Sequence, residues 1–242
     1  MSVTAEKTVR ELAMENFAAT RVFEKLGIDY CCGGSQSIEQ ACRAANVRVD
    51  EVMKSIEAAG RSMPTSLEDR RWQCEPLADL IVYIQNRHHK YTREEIARLN
   101  PLFDKVCSVH GMNHPELPKM LEIFHGLAGE LTMHMMKEEM VLFPYVIRLE
   151  NAGTRNEPVP FAPFGTVKNP VAMMVHEHDS AGEALRALRQ ASRSYAPPQD
   201  ACLSFKTLFN ALSEFEADLH QHIHLENNIL FPRAIELEKR QA

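Results

Sequence analysis

Glycine is scarce in this chain, ten residues among 242, and strand-like alternation of apolar and polar residues is nearly absent. Hairpin-built folds are therefore disfavoured and a helical one is expected. No apolar run approaches the roughly 18 residues that a membrane-spanning helix needs, which argues against a membrane protein. The stretch MSVTAEKTVRELAMENF lacks the apolar segment of a secretory signal, and the expected location is cytoplasmic. Lys and Arg nowhere cluster and the net charge is −6, so nucleic acid is not an expected partner. Six cysteines are too few and too irregularly spaced for a disulfide framework and are read as thiols.

What is present is helical periodicity. The length suits one sizeable core, or a main domain with a small appendage. Three short helices are expected near the N-terminus. The first spans Thr8 to Leu26 and stops at Gly27; the second starts near Ser37, where S-I-E-Q fits a capping box; the third runs from Asp50 to Gly60. Residues 1–62 form this small three-helix domain and residues 63–75 read as a linker. Residues 76–242 then carry four long helical patterns, at about 77–99, 117–149, 170–193 and 202–237. Breaks such as HGMNHPELP and SYAPPQD separate them. The expected class is all-α, with a four-helix bundle.

One phrase is written twice. H-M-M-K-E-E-M-V-L-F-P begins at His134 and H-I-H-L-E-N-N-I-L-F-P at His222. Residues four apart share a helix face. His134 and Glu138 fall within the apolar stripe Phe124, Leu127, Ala128, Leu131, Met135, Leu142 and Tyr145. His222 and Glu226 fall within a matching stripe of Leu208, Leu212, Phe215, Leu219, Ile223 and Leu230. Ionisable groups on a core-facing stripe are costly without partners. An i,i+4 hydrogen bond would satisfy a single pair; two pairs on facing helices suggest a shared purpose. His178 also lies on its helix's stripe, 44 residues before His222, and His89 lies 45 residues before His134. The stripe of Leu77, Leu80, Ile81, Ile84 and Leu99 favours His88, whereas the repeat spacing favours His89. The other histidines, at 110, 114, 125, 220 and 224, read as surface or rim residues. Four imidazoles and two carboxylates suit a pair of metal ions, and mixed nitrogen and oxygen ligation in a bundle favours a di-iron or related centre.

A second feature is D-Y-C-C-G-G at 29–34, between two short helices. Cysteines just before a helix can be reactive, and a stable disulfide between neighbours is disfavoured. Cys31 and Cys32 are candidates for thiol, nitric oxide or iron transfer; a tight turn with two small buried residues is the plainer reading.

D-Y-C-C-G-G is similar to the cysteine-bearing N-terminal domain of the iron–sulfur cluster repair di-iron proteins, the RIC family. The two His-x-x-x-Glu phrases, E-H-D at 177–179 and P-L-A-D-L-I…R-x-H from Pro76 to His89 resemble that family's hemerythrin-like domain. The resemblance spans nearly the whole chain. It implies a hemerythrin-like four-helix bundle holding two non-haem iron ions, oxo- and carboxylate-bridged. The ligands it implies are His89, His134, Glu138, His178, His222 and Glu226, and Glu130 and Glu177 are candidates for supporting acids. The implied function is repair of iron–sulfur proteins damaged by nitrosative or oxidative stress, by supplying labile iron. Alternatives are a di-iron nitric oxide or peroxide reductase, or an oxygen or redox sensor. Expected partners are damaged iron–sulfur proteins, the small molecules NO, O2 or peroxide, and a second copy of the chain in a homodimer.

Overall fold

The computed structural model describes residues 7–31, 33–62 and 72–241, without the side chains of Phe17, Gly60, Arg61 and Ser62. Cys32 and residues 63–71, most of the expected linker, lie outside the described residues. Among those described there is no strand; the one β-like feature is an isolated bridge between Thr8 and Ser37. No described helix is long and apolar enough to cross a membrane.

The first expected helix is two. α1 spans Val9–Glu15 and α2 spans Phe17–Leu26. Asn16 breaks the pair in an extended conformation, φ −146°, and its side chain accepts from Ala18 N at 3.0 Å. A single Asn thus ends one helix and caps the next, with no Gly or Pro to announce the break. α2 ends where expected, at Gly27 in the left-handed region, φ 68°. α3, Ile38–Ala44, begins with the expected capping box between Ser37 and Gln40. α4, Val49–Ser62, starts one residue early and runs through Gly60 instead of stopping there. Val9, Leu12, Phe23, Tyr30, Ile38, Val52 and Ile56 form the apolar core of these helices.

Three of the four bundle segments are interrupted by π-helical turns. The first is α5, Leu77–Ile84, a π turn at Gln85–His89, and α6, Lys90–His110. It outruns the expected end by 11 residues, 110 − 99, because Leu99, Phe103 and Val106 continue the buried stripe past Pro101. Proline removes one hydrogen bond; the stripe outweighs that loss. The second is α7, Glu116–Lys137, a π turn at Glu138–Leu142, and α8, Phe143–Arg155. The third is the unbroken α9, Lys168–Ala191. The fourth is α10, Leu203–Leu225, a π turn at Glu226–Leu230, and α11, Phe231–Gln241. The chain divides into two compact units, Met1–Pro76 with His220–Arg233, and Leu77–Leu219 with Ala234–Ala242; the boundary falls within α10.

Two carboxylates fix helix ends in the larger unit. Glu150 on α8 accepts from the N–H groups of Leu77 and Ala78, at 2.7 and 2.9 Å, closing the start of α5. Glu238 on α11 accepts from Tyr145 Oη at 2.5 Å, from Thr166 Oγ1, and from Val167 N at 3.0 Å. Burial pushes the Glu238 carboxyl up, but the bonds from Thr166, Tyr145 and Val167 outweigh it and hold it below its ordinary value. A depressed carboxyl stabilises the fold above its unfolded value, and that stability disappears as pH falls through the folded value. Glu238→Gln is therefore expected to cost about 1–3 kcal/mol at pH 7, with the deficit shrinking below pH 4. Urea melts at several pH values check this; a deficit independent of pH overturns it.

Candidate metal centre

The repeated phrase converges. Among the described residues, two sets of four buried side chains each place one donor atom within 4.8 Å of the others. One is His89, Glu138, His222 and Glu226; the other is His134, Glu138, His178 and Glu226. All six candidate ligands are brought together, and both glutamates belong to both sets. That is where a carboxylate must stand to bridge two cations. Three of the six sit at the edge of a π turn: His89 closes one, and Glu138 and Glu226 each open one. π turns often mark functional sites, because the extra residue per turn re-aims side chains.

Glu138 is the centre of the geometry. It is 0% exposed, and both its oxygens are buried without accepting a hydrogen bond. Its Oε2 lies 3.4 Å from His89 Nε2 and 3.4 Å from His134 Nε2. His178 Nε2 lies 3.0 Å from His134 Nε2, with the ring centroids 4.7 Å apart. His222 Nε2 lies 3.0 Å from Glu226 Oε1.

The far nitrogens explain the orientation. His89 Nδ1 meets Glu139 Oε1 at 2.7 Å, and Arg93 donates to Glu139 Oε2 at 2.8 Å. His134 Nδ1 meets Glu177 Oε2 at 2.9 Å, and Lys137 pairs with Glu177 Oε1. Burial pushes both supporting carboxyls up, but their cationic and imidazole partners hold each below its ordinary value. An ionised carboxylate at Nδ1 keeps the proton there, which turns the Nε2 lone pair towards Glu138. Two imidazole lone pairs facing a carboxylate without a hydrogen bond form an electron-rich point that a cation would satisfy. The donor set, nitrogen and oxygen without sulfur, suits a transition metal ion such as iron, manganese or zinc.

Residues 80–234 match the hemerythrin HHE cation binding domain, well over half the chain. The chain belongs to the hemerythrin HHE family. Residues 5–60 of this hemerythrin-like chain match a second module, described as a domain of unknown function, DUF542. The chain is 35% identical over 237 residues to the iron–sulfur cluster repair protein YtfE of Pectobacterium carotovorum subsp. carotovorum, covering 95% of this chain and 97% of that protein. It is 36% identical over 218 residues to the YtfE of Yersinia pseudotuberculosis serotype IB, covering 90% and 91%. The resemblance to the repair proteins, and the all-α bundle it implied, are thereby borne out.

His89 joins the cluster and His88 does not; His88 Nδ1 instead meets Asp218 Oδ2 at 3.1 Å. Glu177 supports His134, while Glu130 is exposed and lines a surface cleft with Lys137, His176 and Glu177. Glu139, the second letter of E-E in the first phrase, was missed; its adjacency to Glu138 was the available signal. Cys31 is buried, and its Sγ lies 3.4 Å from Asp29 Oδ1. Its neighbour Cys32 lies outside the described residues.

His224, expected at the surface or rim, is only 3% exposed. Its ring stands edge-on to Tyr30 with centroids 5.5 Å apart, and Asn228 Nδ2 reaches both His224 Nδ1, at 2.8 Å, and the Tyr30 carbonyl, at 3.2 Å. Burial pushes His224 down to about 4. Helical periodicity identified the face of α10 that carries His222; it could not show that Tyr30 covers another face. Gly34 is required in the D-Y-C-C-G-G turn, because a Cβ there would lie 2.9 Å from the Tyr30 carbonyl oxygen.

Proposed function

We propose that this chain holds two iron ions and repairs iron–sulfur clusters damaged by nitrosative or oxidative stress, by supplying iron to the damaged protein. The ligands in this reading are His89, His134, Glu138, His178, His222 and Glu226, with residues 1–62 and 76–242 as its two modules. The observation that carries it is Glu138, buried with no hydrogen bond and 3.4 Å from two imidazoles. The repair role is supported by relatives named as iron–sulfur cluster repair proteins that match nearly end to end.

Iron is cargo in this scheme. Histidine and carboxylate ligands hold ferrous iron less tightly than thiolates hold a cluster, so transfer runs from the bundle to the client. Glu139 and Glu177 keep the imidazoles oriented, and protonation of Glu138 would weaken the hold on iron. Cys31 and Cys32 are proposed as carriers of iron or NO between partners, the working location as the cytoplasm, and the working form as a homodimer.

The test is metal analysis of anaerobically purified protein, followed by transfer of isotopically labelled iron to an NO-damaged iron–sulfur enzyme. Two irons per chain and recovery of the client's activity with labelled iron are expected. Zinc, or no metal in a folded protein, sinks the di-iron reading. Two irons without transfer sinks repair and leaves direct NO or peroxide turnover.

A further inference from the structure

A thiol–imidazole pair lies apart from the metal cluster. His110 Nε2, at the end of α6, is 3.1 Å from Cys202 Sγ. Cys202 is exposed and occupies the cap of α10, its carbonyl accepting from Lys206 N at 3.0 Å. The 23-residue helix that follows directs its N-terminal N–H groups to the same end. The imidazole is held in place by its neighbours. Its ring packs against Phe205 with centroids 5.3 Å apart and lies 6.2 Å from the His114 ring. His114 is itself clamped by Asp200 Oδ2 at 3.1 Å and Glu116 Oε1 at 3.0 Å. Its pKa is raised, chiefly by the bond to Asp200, with Glu116 adding to it.

Each other described thiol lacks part of this arrangement. Cys74 is exposed and lies outside any cap of the bundle helices. Cys107 is half-buried, and burial together with Asp104 pushes its thiol up. Cys31 and Cys42 are buried. The combination of an exposed sulfur, a base in contact and a helix N-terminus occurs among the described residues only at Cys202.

We infer that Cys202, with His110 as its base, is a redox modification site: a thiol oxidised by hydroperoxide and then capped by a low-molecular-weight thiol. His110 takes the thiol proton. The sulfur attacks one peroxide oxygen, the O–O bond breaks, and an S–O bond forms. Sulfur loses two electrons, and the departing hydroxide takes the proton from His110 and leaves as water. A small thiol such as glutathione then attacks the sulfenic sulfur. An S–S bond forms, the S–O bond breaks, and a second water leaves. The capping thiol comes from solution, because the half-buried Cys107 is a poor resolving partner. This inference is independent of the metal centre.

The test uses the full chain, as purified, treated with substoichiometric hydrogen peroxide and dimedone, with site-resolved mass spectrometry of Cys74, Cys107 and Cys202. An ordinary thiol is only a few per cent thiolate at neutral pH, so a contacting base is worth on the order of tenfold in rate. Cys202 is expected to label about tenfold faster than Cys74, His110→Gln to bring it down to the Cys74 rate, and glutathione supplied before dimedone to capture the sulfenic acid as a mixed disulfide in place of the label. A parallel run with a chelator separates metal-catalysed oxidation, which would also label Cys74. Equal rates at Cys202 and Cys74, or an unchanged rate in folded His110→Gln, overturn the dyad. Full dimedone labelling of Cys202 after prior addition of glutathione, with no mixed disulfide formed, overturns the capping step. Should His110→Gln not fold, the Cys202 to Cys74 ratio in the wild-type chain decides alone.

Discussion

Glu138→Gln should empty the centre while making the metal-free protein more stable. The two signs share one cause. Glu138 belongs to both donor sets, so losing its charge weakens both positions. A supporting residue typically contributes about 10–100-fold to metal affinity, and a shared direct ligand should exceed that. Bound metal is expected to fall from about two ions per chain to near zero. Without metal, the wild-type protein must bury a carboxylate that accepts no hydrogen bond. Such a group costs on the order of 1–3 kcal/mol, more when charged. Glutamine keeps the shape and removes the charge. The chelated variant should therefore melt above the chelated wild type, by roughly 2–4 °C per kcal/mol for a chain of this size. Metal content by mass spectrometry and paired thermal melts decide it. Retention of metal, or a lower melting point for the chelated variant, would sink the role given to Glu138.

Much of this was legible in the sequence because burial imposes a period. Phe124, Leu127, Ala128, Leu131, Met135, Leu142 and Tyr145 were expected on one face of the second bundle segment, and all are buried. The His-x-x-x-Glu repeat was legible for the same reason: ionisable groups conspicuously break an apolar stripe. Three things were hidden. Asn16 breaks a helix with a side-chain cap, a signal that many mid-helix asparagines also carry. Glu139 sits off the stripe and matters only because His89 comes from another segment to meet it, a contact that one helix's pattern does not encode. His224 lies outside the bundle-facing stripe and is buried by Tyr30, far away in the chain.

The π turns carry the largest lesson, and the pair His88 and His89 tests it. Leu80 and Ile84 set a four-residue step whose next member is His88. A regular α-helix would send His89 sideways. The π turn at Gln85–His89 inserts extra residue spacing into the turn, so both histidines point inward, at 1% and 0% exposure. They go to different places. His88 meets Asp218, which also pairs with Arg87 at 2.7 Å, and lies edge-on to Tyr83 with centroids 5.7 Å apart. His89 meets Glu138 and Glu139. His89→Ala should therefore remove one of the four donors of the first set and leave the second set whole, so that bound metal falls from two ions towards one. His88→Ala should leave metal content unchanged and cost about 2–4 kcal/mol, from a core cavity and a buried Asp218 stripped of one partner. The melting point should fall by roughly 4–16 °C. Metal stoichiometry and thermal melts of the two variants give opposite patterns. Loss of metal in His88→Ala with retention in His89→Ala would return the site to the face that simple periodicity chose.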